Sequence, residues 1–528
     1  MSKSFITKAP TPKQALLGLI LAQLTCWTLF PYFVNGNLPL DVIREGLSWG
    51  TEWQLGYHKH PPLTSWIANT SYELFGDFGP YLISQLFICL SYIFSYLLGK
   101  QLIGARAAAA ATLLLATVFY YQWPTPEFNH NIAQIPFWAA AIYFFHQAMQ
   151  KSEAVWWYCL GAVLALGALT KYTIALLVPL MFFFMLFGKQ QRAKFLSPHP
   201  YLAAMLGLII LAPHLYWLTE NDFLPFKYYD ARSALEQSPS VLMRLLNPIK
   251  FILAQIADHL PLLVILLVSG LTTLAHLFQR GRSRKAVESA SKRSSEADPL
   301  NETYEQGETT KFILIFLFGP LSLAALWSLY TGDKLRTMWG APMWSLSGVA
   351  VIYFLIGPVS REQMAKLYKT VLPFIIALAL IYGLTALVHP LFSKKPRRTT
   401  WPAVEMSRYF ANLWQDKQSC PLTIIAGENW LTGLIAHKML RRPSVLINGD
   451  LKISPWITED EIKKHGMLVV WQQGRAEPML SMPDQLKPSL LKTRGQKKFE
   501  WPKHKKAPPL IINWAILQAP NCSKKQQL

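Results

Sequence analysis

The chain has 528 residues, of which 52% are hydrophobic and 15% charged. A soluble protein carries roughly a quarter charged residues; here the deficit falls in apolar runs of about 20 residues, long enough to cross a hydrocarbon core of about 30 Å. The formal net charge of +21 does not point to nucleic acid, because no zinc-finger spacing, RNP-type strand or helix-turn-helix pattern accompanies it; positive-inside loops and anionic lipid or phosphate partners account for it.

In chain order, the basic start MSKSFITKAPTPKQ precedes an apolar run that is too long and aromatic for a removed signal peptide and lacks a small-residue cleavage site. It is predicted as an uncleaved first span. Length and hydropathy predict about eleven spans, near 14–34, 79–99, 103–121, 132–149, 154–169, 172–188, 200–218, 250–278, 312–330, 340–357 and 370–391. Lysine and arginine concentrate in alternate loops: Lys3, Lys8 and Lys13; Lys100 and Arg106; Lys189, Arg192 and Lys194; Arg280 to Lys285; Arg361, Lys366 and Lys369. Those loops, with the N-terminus, are expected to be cytoplasmic, which places 392–528 on the outer side.

The loop 279–311 is rich in Ser, Arg, Lys and Glu without apolar period, and is expected to be a flexible cytoplasmic linker. Residues 1–391 thus form a membrane domain. Beyond it, LTIIAG (422–427), PSVLIN (443–448) and MLVVW (467–471) alternate with turns and the polar helix ITEDEIKKHG. That alternation predicts a small α/β domain over 392–528. Cys420 and Cys522 bracket it and could form one disulfide outside the cytoplasm. Cys26, Cys89 and Cys159 fall in apolar segments as small hydrophobes.

The polar residues that could do chemistry lie in the loops assigned to the outer face. Within DVIREGLSWGTEWQLGYHKHPPLTSW (41–66), Asp41, Arg44, Glu45, Glu52, His58, Lys59 and His60 are interleaved with Trp49, Trp53, Tyr57 and Trp66. Helical spacing puts Asp41 and Glu45 on one face, one turn apart. Gly56 and the pair Pro61-Pro62 then turn the chain back. An interfacial amphipathic segment would also carry aromatics at headgroup depth. A carboxylate, cations and aromatics gathered beside the bilayer fit a site better, since a plain connector needs few polar residues.

WPTPEFNHN (123–131) adds Glu127, Asn129, His130 and Asn131 at the mouth of the fourth span, where helix capping is the plainer role. LTKYT (169–173) puts Lys171 in the outer turn between two spans, a place where lysine also snorkels to the interface. APHLYWLTEND (212–222) brings His214 to the outer end of the seventh span, and GDKLRTMWGAPMW (332–344) carries Lys334 and Arg336 just before a later one. Positive charge on that face runs against the orientation rule, so an anionic partner is expected.

Such a set suits transfer from a lipid-phosphate-activated group. A carboxylate can take the proton of an incoming hydroxyl, cations can bind the departing phosphate, and aromatics can pack on a sugar face or a prenyl chain. The chain has no phosphate-binding P-loop, dinucleotide fingerprint or H-E-x-x-H, and no G-x-S-x-G elbow. His58, His60 and His130 with Asp41 or Glu127 could hold a divalent metal, but spacing does not select that over hydrogen bonding. No cofactor is therefore assigned. A transporter or lipid flippase would place its ionisable groups within the spans; here Asp258 and His259 are the main ones there.

The first-loop pattern D-x-x-x-E-x-x-x-W-G-x-x-W-x-L-G-Y-x-K-H-P-P-L, with P-E-F-N-H-N before the fourth span and L-T-K-Y-T, resembles the membrane-embedded GT-C type glycosyltransferases of the protein mannosyltransferase and lipid A aminoarabinose transferase kind. G-x-x-W-L-x-G and S-P-W in the C-terminal region resemble the outer domain of the same subgroup. The resemblance implies a polytopic helical GT-C fold in a bacterial inner membrane, with the C-terminal domain periplasmic. It also implies inverting transfer of a sugar from a polyprenyl phosphate to an envelope glycolipid, lipid A or lipopolysaccharide core, with a protein hydroxyl as the alternative acceptor. By position, Asp41 matches the first-loop acid, and Glu127 is the candidate second acid where many members have Asp. Lys59, His60, Lys171 and Arg336 are matched to the donor phosphate. Glu45, Tyr57, Asn129, Asn131 and His214 are candidate substrate contacts.

Overall fold

The structure, a computed structural model, describes residues 9–235, 240–271, 299–475 and 493–519. Among these, six helices are long and apolar enough to cross a membrane: Pro12–Val34, Phe78–Ile103, His199–Glu220, Val241–Val268, Gln306–Thr331 and Arg361–Phe392. They coincide with six of the expected spans. The other five are helical but short or broken. Ala105–Leu115 has 11 residues, Ile135–Gln150 and Val155–Thr170 have 16 each, and Tyr172–Leu176 is a 3-10 turn leading into Leu177–Phe187. At 1.5 Å per residue, 16 residues reach only about 24 Å. The expected span 340–357 is a pair, Thr337–Trp344 and Ser347–Ile356, bent by 63°. Six full-length spans, or seven with the bent pair, are present among the described helices, and the expected count of about eleven is not confirmed.

Residues 299–311, expected as loop, belong instead to the helix Pro299–Thr331. The first part of that loop, 279–298, and the end of the expected span 250–278 lie outside the described residues. Hydropathy misses the extension because polar residues can prolong a helix at no apolar gain.

Between Leu115 and His130 the chain is mostly irregular yet largely buried, so its carbonyls need partners. Gln23 Nε2 donates to the Tyr121 carbonyl at 3.3 Å, Gln122 Nε2 to that of Ala116 at 2.6 Å and Gln85 Nε2 to that of Thr125 at 3.1 Å. Trp27 Nε1 donates to Gln122 Oε1 at 2.5 Å. This network fixes the segment that leads to Glu127.

The C-terminal region forms one five-stranded sheet in the order β2-β1-β3-β5-β4. β1 (Ile424–Gly427), β2 (Ser444–Ile447) and β3 (Met467–Gln472) are parallel and match the three predicted strands. β4 (Arg494–Phe499) and β5 (Leu510–Leu517) add antiparallel pairs. β1 and β3 as far as Trp471 are apolar and buried, as strands covered on both faces must be. Cys420 is disulfide-bonded; Cys522, its expected partner, lies outside the described residues.

The sheet unit sits on the first loop. Asn429 Nδ2 donates to the Arg44 carbonyl at 2.9 Å, Arg442 Nη2 to Asn69 Oδ1 at 2.8 Å, and the Tyr72 hydroxyl to the His437 carbonyl at 3.1 Å. Lys438 pairs with Asp77 at the start of the second long helix.

Candidate active site

The first loop opens with a π-helical turn, Val42–Leu47, rather than a regular α-turn. A π-turn inserts a residue into the ladder and commonly marks a functional place. Asp41 and Glu45 remain within reach of one cation: Arg44 Nε lies 2.8 Å from Asp41 Oδ1 and Arg44 Nη2 lies 3.3 Å from Glu45 Oε1. The chain then turns at Gly56 and the Pro61-Pro62 pair into the helix Leu63–Phe75. That return brings Lys59 onto Glu45 Oε1 in an ion pair. His60 Nε2 lies 3.9 Å and His130 Nδ1 3.4 Å from Glu45 Oε2.

The segment before the fourth predicted span closes the cluster. Glu127 Oε1 accepts the backbone N–H of Asp41 at 2.7 Å, which sets the two acids side by side. Lys171 donates to Asn131 Oδ1 and stands 5.6 Å from the ring centre of Trp339. Thus Asp41, Glu45, Lys59, His60 and Glu127 are linked through Arg44 in one chain of contacts, and the Lys171–Asn131 pair lies near enough for Lys171 to feel the charges of Lys59 and Glu45. Arg336 is half-buried where the 3-10 turn Thr337–Trp344 begins, the turn that carries Trp339 to Lys171.

Three candidates are committed elsewhere. The Tyr57 hydroxyl donates to the Trp49 carbonyl at 2.7 Å, and its ring is buried against Trp49 at 5.1 Å. Asn129 caps the short helix His130–Ala133, accepting from the N–H groups of Asn131 and Ile132 at 2.9 and 3.2 Å. His214 joins Tyr172 at 2.8 Å and the Leu55 carbonyl at 2.7 Å through its two nitrogens. Conversely, Arg44 and His130, noted among the polar residues of the outer loops but given no role at the donor or acceptor, prove central. The i,i+3 spacing of Arg44 from Asp41 was the available signal. Tyr228, whose ring centre is 6.0 Å from Lys59 Nζ, had none.

The electrostatics sort the acids. Burial alone would raise Glu45, but Lys59, followed by His130 and His60, holds it well below the ordinary carboxylate range. Burial, then the charge of Glu45, raises Asp41 against the pull of Arg44. Burial, reinforced by Asp41, pushes Glu127 up to about 7. On the basic side, burial and then Lys59 lower Lys171 to about 7. Burial and then His130 hold His60 well below its usual value. The site thus contains a fixed anion, two carboxyls with raised affinity for protons, and a lysine whose charge is easily changed.

Glu45, His60 and His130 each offer one atom within 4.8 Å of the others, a set a divalent cation can use. The two rings are stacked at 4.0 Å with planes 29° apart. One ring must turn before both face a single ion, and Lys59 already holds Glu45.

The dolichyl-phosphate-mannose-protein mannosyltransferase family model matches residues 59–217. The lipopolysaccharide core galacturonosyltransferase RgtB of Rhizobium johnstonii is 23% identical over 443 residues, covering 82% of each chain. RgtA of the same organism is 24% identical over 192 residues, which is 35% of this chain and 38% of the relative. Among solved structures, ArnT from Cupriavidus metallidurans bound to undecaprenyl phosphate aligns with 96% of this chain and 98% of its own, at a TM-score of 0.53 and 15% identity. That last likeness establishes the fold, and the sequence relatives carry the enzyme class. The chain is a multi-pass membrane glycosyltransferase with a GT-C type fold.

Proposed function

We propose that the protein moves a sugar from a polyprenyl-phosphate donor to an envelope glycolipid, lipid A or lipopolysaccharide core, at the periplasmic face of a bacterial inner membrane. The observation that carries this reading is the linked cluster of Asp41, Glu127, Glu45 and Lys59, with Lys171 near enough to feel the charges of Lys59 and Glu45, on the side of the helices where the C-terminal unit sits. The lipopolysaccharide core relatives and the undecaprenyl phosphate held by the structural neighbour support the same donor and acceptor classes. Residues 1–391 are the transferase part in this reading and 392–528 the periplasmic unit.

In the proposed step the acceptor hydroxyl attacks the anomeric carbon. A carbon–oxygen bond forms there as the bond to the phosphate oxygen breaks, and the electron pair leaves with the phosphate. Asp41, accessible at the edge of the cluster and steadied by Arg44, takes the hydroxyl proton. Glu127, beside it, shares that proton. Lys59 and Lys171 face the phosphate and stabilise its developing charge, with Arg336 approaching from the late loop and His60 beside Lys59. Attack opposite the leaving phosphate inverts the anomeric centre.

Purified protein in lipid discs, given radiolabelled polyprenyl-phosphate sugars and extracted lipid A or core glycolipid, tests the reading. Label is expected in the glycolipid. Label in a hydroxyl-bearing peptide instead would favour the protein acceptor, and no transfer from any prenyl donor would overturn the donor class.

A further inference from the structure

The helix Leu63–Phe75 has two working faces. Ser65, Ala68 and Asn69 face the first loop, and the Ser65 hydroxyl donates to the Glu45 carbonyl at 2.7 Å. The opposite face, with Trp66, Thr70 and Leu74 one turn apart, forms one wall of a groove of about 290 Å³. The other wall is the long helix Phe78–Ile103, through Gly79, Ile83 and Leu86. The groove shares no residue with the cluster around Glu45.

We propose that this groove is a binding site for one acyl chain of a bilayer glycerophospholipid, with Trp53 and Trp66 at the level of the lipid's glycerol. Four observations support it. Leu86 in the groove and Leu90 one turn below are 39% and 42% exposed on a helix that crosses the membrane, so the groove continues into the surface that meets hydrocarbon. No lining residue is charged, so the site does not suit a prenyl donor whose phosphate must reach cations. Its volume lies at the small end of ligand pockets, which fits a chain segment rather than a headgroup.

At the upper end, Trp53 is held at φ 47, a left-handed conformation unusual for so large a side chain. There its indole stands 5.8 Å from that of Trp66, still 53% exposed. Trp66 is fixed in turn by its Nε1 donating to the Gln54 carbonyl at 3.1 Å. Backbone strain is retained where the surroundings impose it, often at a clamp, and paired indoles suit the boundary between water and hydrocarbon. The lipid chain would brace, from behind, the helix whose other face holds the Glu45 backbone.

The test uses the full chain in discs of zwitterionic phospholipid containing a small fraction with a diazirine in one acyl chain. After irradiation, adducts are mapped by peptide mass spectrometry. They are expected to concentrate on residues 66–86. Thr70→Trp, which fills the groove from an exposed position, is expected to cut those adducts at least fivefold while adducts on Arg361–Phe392 and the unfolding temperature stay unchanged. Trp53→Ala should reduce the same adducts about twofold. Labelling of 66–86 no denser than that of Arg361–Phe392 would overturn the proposal. So would unchanged labelling in Thr70→Trp, or preferential labelling of 66–86 by a diazirine polyprenyl phosphate.

Discussion

Glu45 organises the cluster without being its most exposed acid. It is 4% exposed, and Lys59, Arg44, His60 and His130 all converge on its two oxygens. Removing one partner of a buried pair costs about 3–5 kcal/mol, because the charge left behind is unpaired. Glu45→Gln is therefore expected to lower the unfolding temperature markedly, and the double variant Glu45→Gln with Lys59→Met to recover much of that loss. Asp41 is only partly buried and lies at the edge. Asp41→Asn should leave the unfolding temperature nearly unchanged and cut turnover by about 10²–10⁴, the usual share of a positioned base; unchanged turnover would remove the proposed role. The pH profile follows from two groups. The carboxyl of Glu127 must lose its proton to accept another, so activity rises with pH through about 7. Lys171 must keep its proton to hold phosphate, so activity falls as pH rises through about 7. The profile of kcat/KM should be a narrow bell near neutrality. Glu127→Gln should flatten the acid limb, and Lys171→Arg, with a cation that does not titrate, the alkaline limb.

At the scale of elements, the return of Leu63–Phe75 over the first loop makes the cluster possible, and it depends on close approach. A Cβ on Gly50 would lie 2.3 Å from the Ser65 carbonyl oxygen and 2.5 Å from Asn69 Cβ, both rigidly placed. Gly50→Ala is expected to cost about 1–3 kcal/mol by overpacking and to lower turnover by displacing the Ser65 contact with Glu45, measured by thermal unfolding beside the transfer assay. This dependence also shows what the amino-acid pattern could reveal. Six full-length spans were legible because each is a continuous apolar run, and β1 to β3 because buried parallel strands are unbroken apolar stretches. Short helices were legible too, since Val155–Thr170 and Tyr172–Phe187 fall where 154–169 and 172–188 are predicted; the 63° break was not, because hydropathy counts apolar residues without marking where a helix bends. β4 reads RGQKKF and alternates exposure with burial, so it carries no apolar run to recognise. In the site, the polar loops announced which residues matter. They offered the helix cap as the plainer role for Asn129, and it is the one seen, but did not show that His214 would be spent on the Leu55 carbonyl, a partner fixed only by folding.

At the scale of the whole molecule, the C-terminal unit is part of the catalytic loop's support. Asn429 and Arg442 bond to first-loop carbonyls, and Gly433 packs where a Cβ would meet Ser48 Oγ at 2.3 Å. Glu52 lies in this contact, accepting from the Ser444 hydroxyl at 3.3 Å. Burial pushes its carboxyl from 4.5 up to about 7, despite the opposing effects of Ser444 and Arg442. The docked unit therefore binds a proton that the separated one releases between those values. Stability falls with pH wherever the folded form holds more protons, so docking is strongest below about 4.5, weakens as pH rises to about 7 and is constant above it. Hydrogen exchange of β2 and of the first loop should accordingly be slower at pH 5.5 than at pH 8 after correction for intrinsic rates. Glu52→Gln should abolish the difference and keep the slower exchange at both values. If exchange instead slowed with rising pH, the attraction between ionised Glu52 and Arg442 would outweigh burial. In that case the contact would close as the active-site carboxyls lose their protons, coupling support of the loop to the same pH range as catalysis.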